Sequence, residues 1–193
     1  MPHAPRILVI AATGRELAAP AHTVGVLCGV GPVEAAAATT AAIAEYRPTL
    51  VLHVGIAGAH RTEQLSAGTL VIGSRAEYVD LGELPAAWAS RVVVPPMALL
   101  HAVQRALPLA ITRPIGTSAR VGGTTACPVE AMEGFGVLRA AERLGVPAIE
   151  VRAISNDIEE VDRTRWAFDT AFTAITAATP HLVSALEDYA AHA

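Results

Sequence analysis

The chain has 193 residues, of which 52% are hydrophobic and 17% charged, enough to build a sizeable core and to exclude a disordered chain. Its formal net charge of −4 comes without a basic stripe, which argues against a nucleic-acid partner. This length predicts a single domain over 1–193.

"RILVIAA", Arg6 to Ala12, is short, β-branched and apolar throughout, and predicts a buried strand. It is too short for the apolar region of a signal peptide, and "TGRE" follows where a small-residue cleavage site would stand. "HTVGVLCG" predicts a second strand ending at Gly29. "PVEAAAATTAAIAEY", Pro32 to Tyr46, predicts a helix with Pro32 in its first turn and Pro48 beyond its end. "TLVLHVG" (Thr49 to Gly55) is a third buried strand, "GTLVIGSRAEYVDLG" one or two more, and "PMALLHAVQRAL" a helix. The tract from Ala110 to Pro128 has no clear period. "GVLRAAERLG" predicts a helix stopped by Gly145, and "PAIEVRAIS" a buried strand with a polar tip. A C-terminal helix from Arg163 to Ala178 follows, with another after Pro180.

Strands that alternate with helices, several apolar on both faces, predict an α/β sheet covered on both sides. No apolar stretch approaches a membrane span, because Glu45, Arg47 and His53 interrupt the longest. Cys28 and Cys127 form neither a disulfide framework nor a metal-ligand spacing, so they read as buried thiols of a cytoplasmic protein. No metal and no cofactor is expected.

Two glycine-rich turns invite a ligand. "GVGPVEA", Gly29 to Ala35, fails the dinucleotide fingerprint: Glu34 stands where its third glycine belongs, and the next strand ends without an acid. "GIAGAH", Gly55 to His60, reads as a turn at the carboxyl end of a buried strand, where open α/β sheets bind ligands. "EAMEGFG", Glu130 to Gly136, puts Glu133 where a helix begins. Such an acid is either a solvated first-turn residue, stabilising by about 0.3–1 kcal/mol, or a carboxylate aimed into a pocket.

"GVGPVEAAAATT", "LVLHVGIAGAH" and "VEAMEGFGVLRAAERLGVPAIEVRAISND" together resemble, in order and spacing, the nucleoside phosphorylase and nucleosidase superfamily. The last stretch is most similar to the futalosine hydrolase branch, through "MEGFG" followed by "RAISN". The resemblance implies a three-layer αβα sandwich around a twisted mixed sheet. It implies cleavage of a purine–ribose N-glycosidic bond, with futalosine split into hypoxanthine and dehypoxanthine futalosine in menaquinone biosynthesis. It also implies a homo-oligomer, a dimer or larger, in which a neighbouring subunit helps to close the 5′ side of the pocket.

Carried over by motif, Glu133 accepts from the ribose 2′-hydroxyl and Met132 packs beneath the sugar, while Ile56, Ala57 and Gly58 contact the substrate. Glu16 stands where the nucleosidase branch carries its water-activating carboxylate. Asn156 replaces the Asp of adenine-releasing relatives, and an amide that both donates and accepts points to a 6-oxopurine. Asp157 is a fallback proton donor. Phosphorolytic relatives carry an Arg before the second glycine turn and a Ser or Thr within it. Here His53 and Ile56 make a poor anion site, so water is the expected nucleophile. One departure is the tract before the "ME" motif, shortened to "GGTTACP", where Thr124 and Thr125 are the nearest polar candidates for the purine wall. Two other readings stay open: a nucleosidase for methylthioadenosine or aminofutalosine, and a nucleoside-binding protein without turnover.

Overall fold

A computed structural model of the chain describes residues 6–82, 85, 87–122 and 126–192. Eight strands and four helices follow one another as β1 (Ile7–Ala11), β2 (Val24–Leu27), α1 (Pro32–Tyr46), β3 (Leu50–Ala59), β4 (Leu70–Tyr78), β5 (Val92–Val93), α2 (Met97–Ala106), β6 (Ile111–Thr117), β7 (Val129–Ala131), α3 (Gly134–Arg143), β8 (Ala148–Asp157) and α4 (Phe168–His192) among the described residues. β2, β1, β3 and β8 run parallel, and β4 joins β8 antiparallel. From β4 the pairing passes in parallel to β6 and β7, and β7 returns antiparallel to the end of β3. The mixed sheet therefore closes on itself through β3, β8, β4, β6 and β7.

Alternate residues of β1 explain why it reads as continuously apolar. Ile7, Val9 and Ala11 face α2 and α4, packing with Leu99, Val103, Ile175 and Leu182. Leu8 and Ile10 face α1 and α3, packing with Ile43, Val137 and Leu138. A side-chain period of two thus serves both faces, and the sheet is the middle of three layers. Ala57, Val71, Ile115, Val129 and Ile154 fill the closed part of the sheet. Among the described residues, no helix is long and apolar enough to cross a membrane.

Several elements differ from the sequence expectation, among them the short strands β5 and β7, which it did not contain. "GIAGAH" is not a turn, since β3 continues to Ala59 and pairs with β8 as far as Asp157. The aperiodic tract contains β6, whose Pro114 is tolerated because the β4 register slips between Gly73 and Arg75 opposite it. The C-terminal helix starts at Phe168 and runs unbroken through Pro180. An interior proline costs about 3 kcal/mol. Leu182, Val183 and Leu186, all buried beyond it, outweigh that at about 1.5–3 kcal/mol each.

Candidate active site

The carboxyl ends of β1, β3 and β8 and the start of α3 surround a cavity of about 250 Å3. Seven of the residues expected from the motifs line it: Glu16, Ile56, Ala57, Gly58, Met132, Glu133 and Asn156. Asp157 does not. Its carboxylate faces Arg61 at 3.2 Å on the surface, which removes it as a proton donor to this cavity. Thr124 and Thr125 lie outside the described residues, and Val121 and Gly122 supply the cavity wall just before them.

Glu16 is 4% exposed and held by three donors. The Thr13 amide (2.9 Å) and hydroxyl (2.8 Å) donate to Oε2, and the Ile56 amide donates to Oε1 at 3.1 Å. A carboxylate has about four lone-pair sites, so one direction on Oε1 stays open to the cavity. The backbone amide of Ile56 is thus engaged by a carboxylate of the same chain.

Glu133 occupies the N-cap position of α3, yet its side chain makes no cap. Oε1 instead accepts from the amide of Gly31 at 3.2 Å, and Oε2 faces Arg152 Nη1 at 3.4 Å. The first glycine turn acquires its purpose here: Gly31 has φ 98°, a left-handed conformation that glycine adopts without strain, and this turns its N–H toward Glu133. Of the two options left by the sequence, Glu133 is the carboxylate in the pocket.

Asn156 sits at the tip of β8, where its Nδ2 donates to the Asp157 carbonyl at 2.9 Å and its Oδ1 accepts from Ser155 Oγ at 2.7 Å. The carbonyl partner fixes which end of the amide is nitrogen. One N–H and one lone pair are left for a ligand.

Behind these residues lies a network that the motif reading missed. Arg152 is fully buried, with Nε 3.3 Å from Glu150 Oε2 and Nη2 donating to His53 Nε2. His53 Nδ1 donates to the Ile10 carbonyl at 3.0 Å, which fixes the tautomer and leaves Nε2 as the acceptor. Burial, then the Arg152 charge, hold the His53 pKa well below the usual range, so the ring is neutral. Both ring nitrogens are thus satisfied, inside β3. Burial also raises the Glu150 pKa against the pull of Arg152, and Glu150 Oε1 has no hydrogen-bond partner. Burial alone would lower the Arg152 pKa, but Glu150, Glu133 and Glu16 hold it above the ordinary arginine value. Gly55 makes room for this charge: a Cβ there would lie 2.3 Å from Arg152 Nη1 and 3.0 Å from Glu16 Oε1. Thr13 and Glu130 also line the cavity without having been expected there. Cys28 is no nucleophile, since burial, then Glu133, push its pKa up to about 12.

A closed mixed sheet between two helical layers, with a cavity at its strand ends, defines a class that comparison with known proteins makes explicit. The profile of the phosphorylase superfamily matches residues 21–186, and the chain belongs to that superfamily. Within it, the chain is 34% identical to futalosine hydrolase of Streptomyces coelicolor over 191 residues, covering 85% of this chain and 80% of that one. It is 24% identical to 5′-methylthioadenosine/S-adenosylhomocysteine nucleosidase of Shewanella halifaxensis over 157 residues, covering 67% and 66% of the two chains. Among solved structures, futalosine hydrolase of Helicobacter pylori superposes with a TM-score of 0.81 at 14% identity, covering 94% of this chain and 98% of that one. The Colwellia psychrerythraea methylthioadenosine/S-adenosylhomocysteine nucleosidase, solved with adenine, gives 0.80 at 20% identity, covering 97% and 96%. Both likenesses confirm the three-layer fold.

Proposed function

We propose that this chain is a futalosine hydrolase, cleaving the N-glycosidic bond to release hypoxanthine and dehypoxanthine futalosine on the route to menaquinone. One observation carries the mechanism: Glu16, Glu133 and Asn156 converge on a single cavity while the buried cation behind them is already shared by carboxylates. The ribose lies over Met132, with Glu133 accepting from its 2′-hydroxyl. Water bound at the open direction of Glu16 Oε1 attacks C1′, and Glu16 takes its proton. As the C1′–N9 bond breaks, its electron pair leaves with the base and positive charge builds on the ribose. The Glu133 carboxylate favours that charge. The remaining Asn156 N–H gives a hydrogen bond to the departing purine at N7 or at its 6-oxo oxygen, and the base leaves as an anion that takes its proton from solvent to become hypoxanthine.

Phosphate would meet Glu16 and Glu133 in the cavity, and Arg152 has no unshared nitrogen for it: Nε, Nη1 and Nη2 face Glu150, Glu133 and His53. This supports hydrolysis over phosphorolysis. The deciding experiment is chromatographic detection of free base from futalosine, aminofutalosine, inosine and methylthioadenosine, each with and without phosphate. Hypoxanthine from futalosine, at a rate indifferent to phosphate, is expected. Adenine from methylthioadenosine as the main product would overturn the choice of substrate.

Asn156→Asp tests the purine assignment, because a carboxyl favours a 6-amino group where the amide donates to a 6-oxo group. The expected result is a fall of about tenfold or more in the ratio of kcat/KM for futalosine to that for aminofutalosine, the size of one hydrogen bond to the base. An unchanged ratio would detach Asn156 from base choice.

The proposal includes a cytoplasmic homo-oligomer. Val30 lines the cavity yet is 56% exposed, and Val33 beside it is 75% exposed, an apolar edge suited to a second copy. Light scattering should give a dimer or larger, and a monomer at assay concentration would end that part of the proposal. Recovery in a membrane or secreted fraction would end the cytoplasmic part.

A further inference from the structure

The chain has only three Phe, two Trp and three Tyr, yet Trp166, Phe168 and Phe172 together form one wall of the cavity. They follow one another with ring centroids 5.4 and 6.1 Å apart, and each is only half-buried, so they do not serve to fill the core. Half-exposed aromatic faces at a cavity are binding surface for a ligand with a flat apolar part. Positive charge stands directly on this wall: the Arg15 guanidinium lies 4.3 Å from the centroid of Phe172, and Arg163 lies 5.8 Å from that of Trp166.

Arg15 immediately precedes Glu16, and its cation lies over Phe172, a residue of the cavity wall. Its ion-pair partner, Asp169, has a side chain 93% exposed, and the Arg15 side chain is itself 63% exposed. Such an open pair contributes little and gives way at small cost to another carboxylate. A guanidinium stacked on one ring of a three-ring wall is complementary to an aromatic carboxylate: rings for the ring, a planar fork for the acid.

Futalosine carries a carboxylated aromatic group on the 5′ side of its ribose, and we propose that the Trp166–Phe168–Phe172 wall and Arg15 form the subsite for it, with Arg15 as the anchor of the carboxylate. This rests on the futalosine reading and gives it a chemical basis. A methylthio substituent offers nothing for the guanidinium to bind, whereas the aromatic acid satisfies both halves of the subsite.

The experiment follows hypoxanthine release from futalosine, from its carboxylate methyl ester and from inosine, by the wild type and by Arg15→Gln. The wild type is expected to prefer the acid to the ester by about tenfold in kcat/KM, the size of one charge-assisted hydrogen bond at a partly open site. Arg15→Gln should lose that preference and lower the futalosine-to-inosine ratio of kcat/KM by a similar factor, mainly through KM. Futalosine cleavage with both ratios unchanged in the variant overturns the subsite and leaves the proposed function standing. No hypoxanthine from futalosine by the wild type overturns both.

Discussion

Glu16→Gln is expected to lower the turnover of futalosine by about 100- to 10,000-fold while changing substrate affinity little. That range is the contribution of a positioned general base. Glutamine keeps the shape, and its amide oxygen can still accept from the amide and hydroxyl of Thr13, the two donors on Oε2. The Oε1 position then becomes an NH2 group, which cannot take a proton from water and leaves the Ile56 amide without its acceptor. The affected interaction belongs to the transition state, so kcat and kcat/KM should fall together. Steady-state rates of hypoxanthine release, paired with calorimetric affinity, check both halves. A variant that turns over like the wild type would remove Glu16 as the base. A wild type that binds futalosine without ever releasing base would instead mark a binding protein.

The difference between what the sequence disclosed and what it concealed has a physical basis. Glu16 lies in the loop after β1, and Met132, Glu133 and Asn156 sit at strand ends or a helix start, where the local pattern breaks and a motif stands out. Glu150 and Arg152 sit inside β8, and its buried, largely apolar run reads as core. A usable signal was present: opposite charges at i and i+2 point to the same face of a strand, and a strand buried on both faces must neutralise them internally. The third member, His53, lies across the register from Glu150 on β3, a pairing that no local pattern encodes. β6 was hidden for a similar reason. Pro114 argues against a strand until the slip in β4 accommodates it, and that slip belongs to the neighbouring strand. The helix layers and parallel core strands needed only period and punctuation, so they were legible. Closure of the sheet by β7 depends on a three-residue strand, too short to carry a period.

Arg152→Met is expected to destabilise the fold by about 3–5 kcal/mol at neutral pH, the cost of breaking a buried pair from one side. Methionine fills much of the same volume, so the loss is chiefly electrostatic. Glu133 and Glu150 would share a buried region with no cation between them, and His53 Nε2 would lose its donor. The pH dependence identifies the cause. The Glu150 pKa is already raised in the folded wild type by burial, and the Arg152 charge is what restrains it. Without Arg152 it rises further, so the folded variant binds more protons than its unfolded chain between the two pKa values. Unfolding free energy therefore falls as pH rises through that window. The deficit relative to wild type should be small below the unfolded carboxyl range and reach its full size above the raised folded value. Urea titrations at stepped pH from about 4 to 8 would measure it, with the ordinary Glu pKa near the lower end of that window. A deficit equal at every pH would mean that lost packing, not uncompensated charge, is what Arg152 prevents.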